Sequence, residues 1–441
     1  MEYQGLRATV MGLGLFGGGS AAARWLARAG AVVTVTDMAP ADRLADSLET
    51  LRSVPIRRYQ LGGHREEDFR DTDLVVVNPA IRPGAPWLEI ASSGGAKLTS
   101  EIELFLENCP ARMIGVTGSN GKSTTSAMVS SILEAGGRRV HLGGNIGRSL
   151  LDDLDIIRPD DWVVLELSSF QLHRLARTTS LPETAVITNF TPNHLNWHPD
   201  LGHYAASKQR LLLLQPADGA AVFDPAAPGL ADWQRFVRGS FLEPRGLSDL
   251  PPLSVCGRHN LANAALAAAT ARGVGCDESA IEAGLTNFRG LPDRLELIRT
   301  IHGRRVISDS SSTTPESTIA ALEALEKPIW LLAGGADKGV DYDELAKRTA
   351  QCAEGAVFYG QVADHLAEKV TSYNTGLFCH AVKTLYEAFA ASMERASSQA
   401  TIVLSPACSS HDQFVNYRAR GAAFAHLVLS YQTNTCRGTR L

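Results

Sequence analysis

The residues best suited to ligand binding or catalysis lie in the segment GVTGSNGKSTT at 115–125, between an apolar run and a helix-forming run. Glycines let backbone N–H groups turn toward phosphate oxygens, Lys122 supplies a positive charge near the β- and γ-phosphates, and Ser123 can reach Mg²⁺. Val116 stands where the strict phosphate-loop pattern has its first glycine, so an ordinary glycine-rich turn is the alternative. We favour a nucleoside triphosphate site. Its expected residues are Gly118, Ser119, Asn120, Gly121, Lys122, Ser123 and Thr124.

A second glycine motif opens the chain, where Gly12, Gly14 and Gly17 follow an apolar run and Asp37 comes twenty residues after Gly17. This pattern matches a dinucleotide-binding fingerprint, so an NAD-dependent dehydrogenase is one alternative. The motif alone is weak evidence. A dehydrogenase also has no need of the separate loop around Lys122.

Short β-rich runs alternate with amphipathic helices, which predicts parallel, doubly wound sheets. The runs expected to form strands are RATVMG, AVVTVTD, DLVVVN, ARMIGVTG, WVVLELS, ETAVITNF, RRVISDS, PIWLLAGG, GAVFYG and TIVLSPA. Helices are expected between them, for example from Gly18 to Ala29, after Lys122, and from Pro315 to Leu325. We expect an α/β chain of three domains, which are a Rossmann-like domain at 1–100, a central P-loop ATPase-like domain at 101–289 and a Rossmann-like domain at 290–441.

The composition of the 441 residues limits the partners. A count of 42 Lys and Arg against 47 Asp and Glu leaves a net charge of −5, which offers no general attraction for nucleic acid or an anionic membrane. Seven cysteines form no CxxC pair and no zinc-ligand spacing, which suits reduced thiols in a cytoplasm. No apolar run approaches the length of a membrane span and the first residues do not resemble a leader. We expect a cytoplasmic protein that binds no nucleic acid, inserts in no membrane and is a monomer.

The loop TGSNGKST resembles the ATP loop of the Mur ligases and of their relative folylpolyglutamate synthetase. Further motifs extend this resemblance along nearly the whole chain, namely GGNIG at 143–147, LELSSFQL at 165–172, TNFTPNHLNWH at 188–198, HYAASKQRL at 203–211 and GRHNLANAALAAA at 257–269. The resemblance implies ATP and Mg²⁺ as cofactors, with Lys122, His194 and Lys208 as catalytic residues.

The metal ligands that the resemblance implies are Ser123, Glu166, His194 and Lys208. An unmodified Lys208 cannot bind a cation, because its ammonium group has three donors and no acceptor. In the family the equivalent lysine is carbamylated, which turns a cation into an anion. Asn193 and Asn196 depart from the pattern, since many relatives carry Asp at these positions.

The resemblance also implies contacts with the nucleotide and with a UDP-linked donor. Asn260 and Asn263 lie three residues apart, on one face of a predicted helix, and relatives use this pair for adenine. Arg294 in GLPDRLE reaches nucleotide in the family, although Asp293 stands where relatives usually carry His. Asn78 stands where relatives often have Ser. The donor residues are expected to be Gly14, Leu15, Phe16, Asp37, Asn78 and Asn145.

Three motifs in the last third resemble the NDSKATN, GGxxK and SPAxxSxDxFxxFxxRG patterns of family members that add D-glutamate. They are SDSSSTTPEST at 308–318, AGGADKG at 333–339 and LSPACSSHDQFVNYRARG at 404–421. The match implies that Asp309 positions nucleotide phosphate. The residues implied around the incoming amino acid are Thr313, Lys338, Ser410 and Tyr417. Tyr417 replaces a common Phe, and Ser311 replaces the Lys of NDSKATN.

The activity implied is ATP-dependent formation of an amide bond between D-glutamate and UDP-N-acetylmuramoyl-L-alanine, through an acyl-phosphate. Such a ligase serves peptidoglycan synthesis, and with it cell-wall biogenesis, cell shape and cell division. A ligase of the same fold with another acceptor, such as L-glutamate, or another donor is an open alternative. A nucleotide-binding protein whose chemistry has decayed is a second, because Ser311, Asn193 and Asn196 depart from the pattern.

Overall fold

Strands and helices alternate along the chain and build three separate sheets, in a computed structural model that describes residues 2–14, 17–146, 148–175, 181–195, 197–255 and 257–431. The predicted three-domain α/β fold is confirmed. The chain divides into two compact units, the first holding residues 1–251 and 263–286, the second residues 252–262 and 287–441. Within the described ranges, no helix has both the length and the apolar character that a membrane crossing requires.

The first sheet lies in the first unit and has five parallel strands in the order β3-β2-β1-β4-β5. The strands are β1 Arg7–Met11, β2 Val32–Asp37, β3 Arg58–Leu61, β4 Leu74–Val77 and β5 Lys97–Thr99, and the helices are α1 Gly18–Arg28, α2 Ala45–Glu49, α3 Glu67–Arg70, α4 Pro86–Ser93 and α5 Glu101–Asn108. Strand β1 is central and its apolar residues are buried, as expected for a parallel sheet covered on both faces.

The second sheet, also in the first unit, has six parallel strands in the order β11-β10-β9-β6-β8-β7. The strands are β6 Arg112–Thr117, β7 Val140–Gly144, β8 Trp162–Glu166, β9 Thr184–Ile187, β10 Ala220–Val222 and β11 Ser240–Leu242, and the helices are α6 Lys122–Ala135, α7 Ser169–Arg174, α8 Leu201–Leu213, α9 Arg258–Gly273 and α10 Glu278–Asn287. Residues 258–262 of α9 belong to the second unit and the rest to the first. The carboxyl ends of β6, β8 and β9 meet at one edge of the sheet, where ligands of such sheets bind.

The third sheet forms the second unit and has the order β12-β13-β17-β14-β15-β16, parallel except for the β12–β13 pair. The strands are β12 Glu296–Ile301, β13 Arg304–Ser308, β14 Ile329–Gly334, β15 Gly355–Tyr359, β16 Phe378–Val382 and β17 Thr401–Leu404, and the helices are α11 Pro315–Ala324, α12 Asp343–Cys352, α13 Ala363–Tyr373, α14 Leu385–Arg395 and α15 Tyr417–Ser430. The motifs at 308, 333 and 404 follow β13, β14 and β17, which are neighbours, so they share one edge of the sheet.

All ten predicted strands are present. The strands not predicted are β3, β5, β7, β10, β11, β12 and β16, which are three to six residues long. Six of them lie at sheet edges, and only β10 has a strand on both sides. Short strands of this kind carry little apolar patterning of their own, because neighbouring strands determine their pairing.

Candidate functional site

The loop after β6 has a backbone that only glycine allows at two positions. Gly118 has φ 145° and Gly121 has φ 82°, and both values lie in the left-handed region. A Cβ on Gly118 would overlap Thr188 Oγ1, and one on Gly121 would overlap Asn263 Oδ1. Gly121 directly precedes α6, so the loop delivers backbone N–H groups to a helix N-terminus, a ready site for phosphate.

Contacts with the segment after β9 hold this loop in place. Ser119 Oγ donates to the Thr191 carbonyl (2.8 Å) and accepts the Thr191 N–H (2.9 Å). The Asn120 N–H donates to Asn189 Oδ1 (3.0 Å). Lys122 Nζ donates to the carbonyls of Gly118 (3.1 Å) and Ser119 (2.9 Å), so its charge lies over the loop.

Thr124 lies in the first turn of α6 and is half-buried, and Thr125 lies beside it. Thr125 Oγ1 donates to the buried Asn263 Oδ1 (3.3 Å), so Asn263 lies beside the phosphate loop. Asn260 lies on the same helix, α9, among the residues of the second unit.

Glu166, at the end of β8, accepts hydrogen bonds from two other predicted residues. Its side chain is 2% exposed, Oε2 accepts Ser123 Oγ (2.5 Å) and Oε1 accepts Asn145 Nδ2 (2.8 Å). A buried carboxylate beside a phosphate-loop hydroxyl is an oxygen donor set that suits Mg²⁺. The residues present therefore fit the metal that the sequence implied.

Lys208, on α8, is 1% exposed and its Nζ donates to the Gly118 carbonyl (2.6 Å). The Nζ also lies 4.7 Å from the ring centroid of Tyr204, one helical turn earlier. Burial, with Lys122 nearby, lowers the pKa of Lys208 well below its usual value, although Glu166 opposes the shift. The shift favours the uncharged amine, which is the form that reacts as a nucleophile.

His194 has a left-handed backbone with φ 58°, which is rare outside glycine and typical of functional sites. Its N–H donates to Asn193 Oδ1 (2.8 Å), and its ring lies edge-on to Phe170 (4.9 Å) and 6.1 Å from Tyr204. Across the described ranges no three His, Cys, Asp or Glu side chains form a group able to hold a metal. The implied ligand set therefore depends on Ser123 and on a modified Lys208. Asn196 lies outside the described residues.

The glycine loop after β1 is organised by two side chains from neighbouring strands. Asp37 Oδ2 accepts the N–H groups of Leu13 (2.8 Å) and Gly14 (3.3 Å), and Asn78 Nδ2 donates to the Gly12 carbonyl (3.2 Å). The predicted donor residues Gly14, Asp37 and Asn78 are thus one cluster. Leu15 and Phe16 lie outside the described residues.

Two side chains from connections of the second sheet, neither of them predicted, contact the loop after Asn78. Trp197 Nε1 donates to the Ala80 carbonyl (3.3 Å), and Arg174 donates to the carbonyl of Ile81. Tyr204 was also missed, although its position four residues before Lys208 on a helix was a usable signal.

In the second unit, Asp309 lies at the end of β13 beside the loop that carries Arg294. Its Oδ2 accepts Ser405 Oγ (2.7 Å) and its Oδ1 accepts the Leu295 N–H (3.3 Å). Burial raises the pKa of Asp309 to about 6, against the opposing effects of its hydroxyl partners and of Arg294. Asp309 and Arg294, two of the predicted nucleotide residues of this unit, are therefore neighbours.

The residues predicted to bind the amino acid lie on three connected segments. Lys338 Nζ donates to the Thr313 carbonyl (2.8 Å), Ser410 is buried, and Tyr417 begins α15. Ser310 Oγ donates to the Tyr417 carbonyl (2.8 Å), which joins the loop after β13 to α15.

Arg420, which sequence reasoning missed, is fully buried and fastens the same segments together. It donates to Ser310 Oγ (3.1 Å), to the Ser310 carbonyl (2.9 Å) and to the Cys408 carbonyl (3.1 Å). The RG that closes the motif at 404–421 was a usable signal, although RARG contains two arginines and their spacing does not tell which one is buried.

A phosphate loop with a carboxylate and a buried amine beside it, in a chain of three α/β sheets, is typical of a nucleotide-binding protein of several domains. Family models match three parts of the chain, namely the Mur ligase MurD-like N-terminal domain at residues 7–100, the Mur ligase middle domain at 116–243 and the Mur ligase glutamate ligase domain at 293–408.

Curated relatives match along the whole chain. The UDP-N-acetylmuramoylalanine–D-glutamate ligase of Roseiflexus sp. (strain RS-1) is 35% identical, over 98% of this chain and 100% of the relative. The protein of the same name from Solibacter usitatus is 34% identical, over 97% and 98%. The chain therefore belongs to the Mur ligase family, and the dehydrogenase alternative is set aside.

Solved structures share the fold. The UDP-N-acetylmuramate-alanine ligase MurC of Thermotoga maritima superposes with a TM-score of 0.65 at 19% identity, covering 97% of this chain and 100% of that one. FolC of E. coli, in complex with DHPP and ADP, has a TM-score of 0.55 at 18% identity, covering 74% and 91%. Both pairs are too divergent to indicate more than the fold.

Proposed function

We propose that this chain is the ligase that adds D-glutamate to UDP-N-acetylmuramoyl-L-alanine, using ATP and an acyl-phosphate intermediate, in the cytoplasmic stage of peptidoglycan synthesis. The observation that carries the proposal is the Ser123–Glu166 contact of 2.5 Å under the phosphate loop, with the buried Lys208 beside it. The names of the relatives support the choice of donor and acceptor. A role in cell-wall biogenesis, cell shape and division follows from that reaction.

The first step activates a carboxylate, which is a poor acyl donor, by transfer of the γ-phosphoryl group of ATP. Backbone N–H groups of Gly118 to Thr124 and the ammonium of Lys122 would bind the phosphates and stabilise charge on the transferring oxygens. Asn260, Asn263, Arg294 and Asp309 would bind the rest of the nucleotide. The donor would be held by Gly14, Asp37, Asn78 and Asn145.

Ser123, Glu166, His194 and Lys208 would hold Mg²⁺, with Lys208 as a carbamate. Bound Mg²⁺ would supply positive charge to the phosphoryl oxygens. A neutral, buried Lys208 amine can add CO₂ with loss of one proton, giving an N–C bond and an anionic carbamate. The burial of Lys208 supports this modification, because a charged ammonium would not react.

The second step is attack by the amine of the acceptor on the acyl-phosphate, with phosphate as the leaving group. Thr313, Lys338, Ser410 and Tyr417 would surround the acceptor. A dicarboxylic amino acid needs cationic and hydroxyl donors, and Lys338, Thr313 and Ser410 carry such groups. The domains proposed for these tasks are 1–100 for the donor, 101–289 for ATP and 290–441 for the amino acid.

The test is release of ADP and phosphate with UDP-N-acetylmuramoyl-L-alanine and either D- or L-glutamate. We expect turnover with D-glutamate and little with L-glutamate. Lys122→Ala should lower turnover at least about 10³-fold, since it removes a charge that acts on the transition state, while the exposed Lys347→Ala serves as a matched control. Full turnover by Lys122→Ala, or ATP binding without turnover under every donor, would refute the proposal.

A further inference from the structure

Two consecutive carbonyls in the loop after β4 accept hydrogen bonds from side chains that belong to the second sheet. Trp197 Nε1 donates to the Ala80 carbonyl (3.3 Å), and the Arg174 guanidinium donates to the carbonyl of Ile81. We call these two hydrogen bonds the carbonyl bridge. Each joins residues about a hundred positions apart in the sequence, so the bridge ties a loop of the first sheet to connections of the second.

The loop end of the carbonyl bridge is attached to the glycine loop after β1. Asn78 Oδ1 accepts the Ala80 N–H (3.0 Å), and the Asn78 carbonyl accepts the Ile81 N–H (3.0 Å). Asn78 itself is held from the other side, because its Nδ2 donates to the Gly12 carbonyl (3.2 Å) and its N–H donates to the Met11 carbonyl (3.0 Å). The contacts of Asn78 with the first sheet therefore do not depend on the bridge.

The other end of the carbonyl bridge starts at two of the proposed metal ligands. Glu166 ends β8, and α7 begins three residues later at Ser169 and ends at Arg174. Trp197 lies in the turn after His194, and its N–H donates to the His194 carbonyl (3.0 Å). Each donor of the bridge thus lies at the end of a short segment that leaves a proposed metal ligand.

Ring contacts fix the orientation of Trp197 relative to His194. The Phe170 ring of α7 contacts both the Trp197 ring and the His194 ring, with centroids 4.9 Å away in each case. Phe170 also stacks on the buried ring of His198 (5.5 Å), whose Nε2 lies 3.0 Å from Ser169 Oγ. The indole N–H of the bridge and the ring of His194 are therefore held by the same packing.

The position of this loop matters because the donor has two ends. Its nucleotide end would bind at the glycine loop after β1, while its carboxylate must meet the γ-phosphate at the loop after β6. The distance between the two loops is thus part of the reaction geometry, and errors near 1 Å are enough to lower the rate. Two donors on adjacent carbonyls fix both the position and the direction of the segment between these loops.

We propose that Trp197 and Arg174 are positioning residues for the UDP-linked donor. They act through the backbone of Ala80 and Ile81, and they hold the loop after β4 at a set distance from the proposed metal ligands. The donor carboxylate is thereby aligned with the γ-phosphate. This inference rests on the proposed function.

The test is a double-mutant cycle with Trp197→Phe, Arg174→Met and the double variant, using the full chain. Trp197→Phe removes the indole N–H and keeps an aromatic ring against Phe170. Each single substitution should lower kcat/KM for UDP-N-acetylmuramoyl-L-alanine about fivefold, equivalent to about 1 kcal/mol, and leave the KM for ATP and for D-glutamate within about twofold. The double variant should fall by less than the product, because both donors hold one loop. Strictly multiplicative effects, or equal rises in all three KM values, overturn the proposal.

Binding of uridine diphosphate alone separates positioning from a change in the donor pocket itself. This probe carries only the nucleotide end, and Asn78 keeps its contacts with Gly12 and Met11 in every variant, so its Kd should stay within about twofold of wild type. A loss of affinity for the probe as large as the loss in kcat/KM overturns the positioning role. Trp25→Phe on α1 and Arg52→Met at an exposed site are the matched controls and should change neither quantity.

If the wild-type chain turns over with no donor, the proposed function fails, and the carbonyl bridge is tested by amide hydrogen exchange instead. The double variant must then exchange faster than wild type at residues 80–82, while exchange at residues 118–124 stays the same. Unchanged exchange at residues 80–82 overturns the bridge itself.

Discussion

Replacing Lys208 with Met should stabilise the fold while abolishing the reaction. The side chain is 1% exposed, and its Nζ donates to the Gly118 carbonyl (2.6 Å). That carbonyl also accepts Lys122 Nζ (3.1 Å), so the substitution leaves no orphaned acceptor and loses about 1 kcal/mol. Met has a similar shape and fills irregular spaces well.

The opposing effect comes from burial of the amine. Burial lowers the pKa of Lys208 well below its usual value, so the charged ammonium is disfavoured in the folded protein. Met has no such cost. Near neutral pH we expect the Met variant to be the more stable protein, because the lowered pKa of Lys208 works against folding there.

The sign of the pH dependence is the sharper test. Because the pKa of Lys208 is lower in the folded than in the unfolded chain, the unfolded state binds more protons between the two pKa values, and wild-type stability rises with pH in that window. The advantage of the Met variant should therefore shrink as the pH rises, with a slope of at most about 1.4 kcal/mol per pH unit for one proton. Urea denaturation between pH 6.5 and 9.5 in CO₂-free buffer measures it, with the exposed Lys347→Met as control.

A Met variant that is less stable at every pH would refute this reasoning, because Lys208 would then be charged and paired in the folded protein. The activity assay is independent of stability. Wild-type turnover should fall when CO₂ is removed and return with bicarbonate, whereas Lys208→Met should stay inactive under both conditions.

Two other substitutions test the first unit. Gly118→Ala places a Cβ on Thr188 Oγ1 at a residue with φ 145°, so it should lower the free energy of unfolding by about 1–3 kcal/mol and weaken ATP binding. Gly137→Ala is the control for backbone strain, because Gly137 has φ 75° and its added Cβ would meet nothing within 4 Å. This control should leave ATP binding unchanged. Burial raises the pKa of Glu101 from 4.5 to about 7, although its carboxylate accepts a hydrogen bond from the Ser149 hydroxyl. Between pH 4.5 and about 7 the folded state therefore binds more protons at Glu101 than the unfolded state does, and the stability of the fold decreases as the pH rises through this range. Glu101→Gln removes this pH-dependent loss of stability. Measured by urea denaturation, the stability of the variant relative to wild type should rise by roughly 2 kcal/mol between pH 5 and pH 8. A stability difference between the two proteins that does not change with pH would contradict the prediction.

Local features of the chain were determined by the sequence alone. Short apolar runs rich in β-branched residues, such as WVVLE and TIVLS, are typical of strands in a sheet covered on both faces. Gly118, Gly121 and Lys122 predicted a phosphate loop for a similar reason, since left-handed backbone before a helix is a property of a few adjacent residues. The order of the motifs identified the family without any distance.

Only the tertiary structure decided which distant residues meet. Asn145 and Glu166 are twenty-one residues apart and share a hydrogen bond, and Lys208 reaches Gly118 across ninety residues. Neither contact follows from periodicity, which reports burial but not the order of strands. The backbone hydrogen bond from the Ser311 N–H to the Asp293 carbonyl is of the same kind, because it joins the segment after β13 to the loop before β12. Strand order and burial are properties of the whole fold, and they decide which charges must be neutralised together.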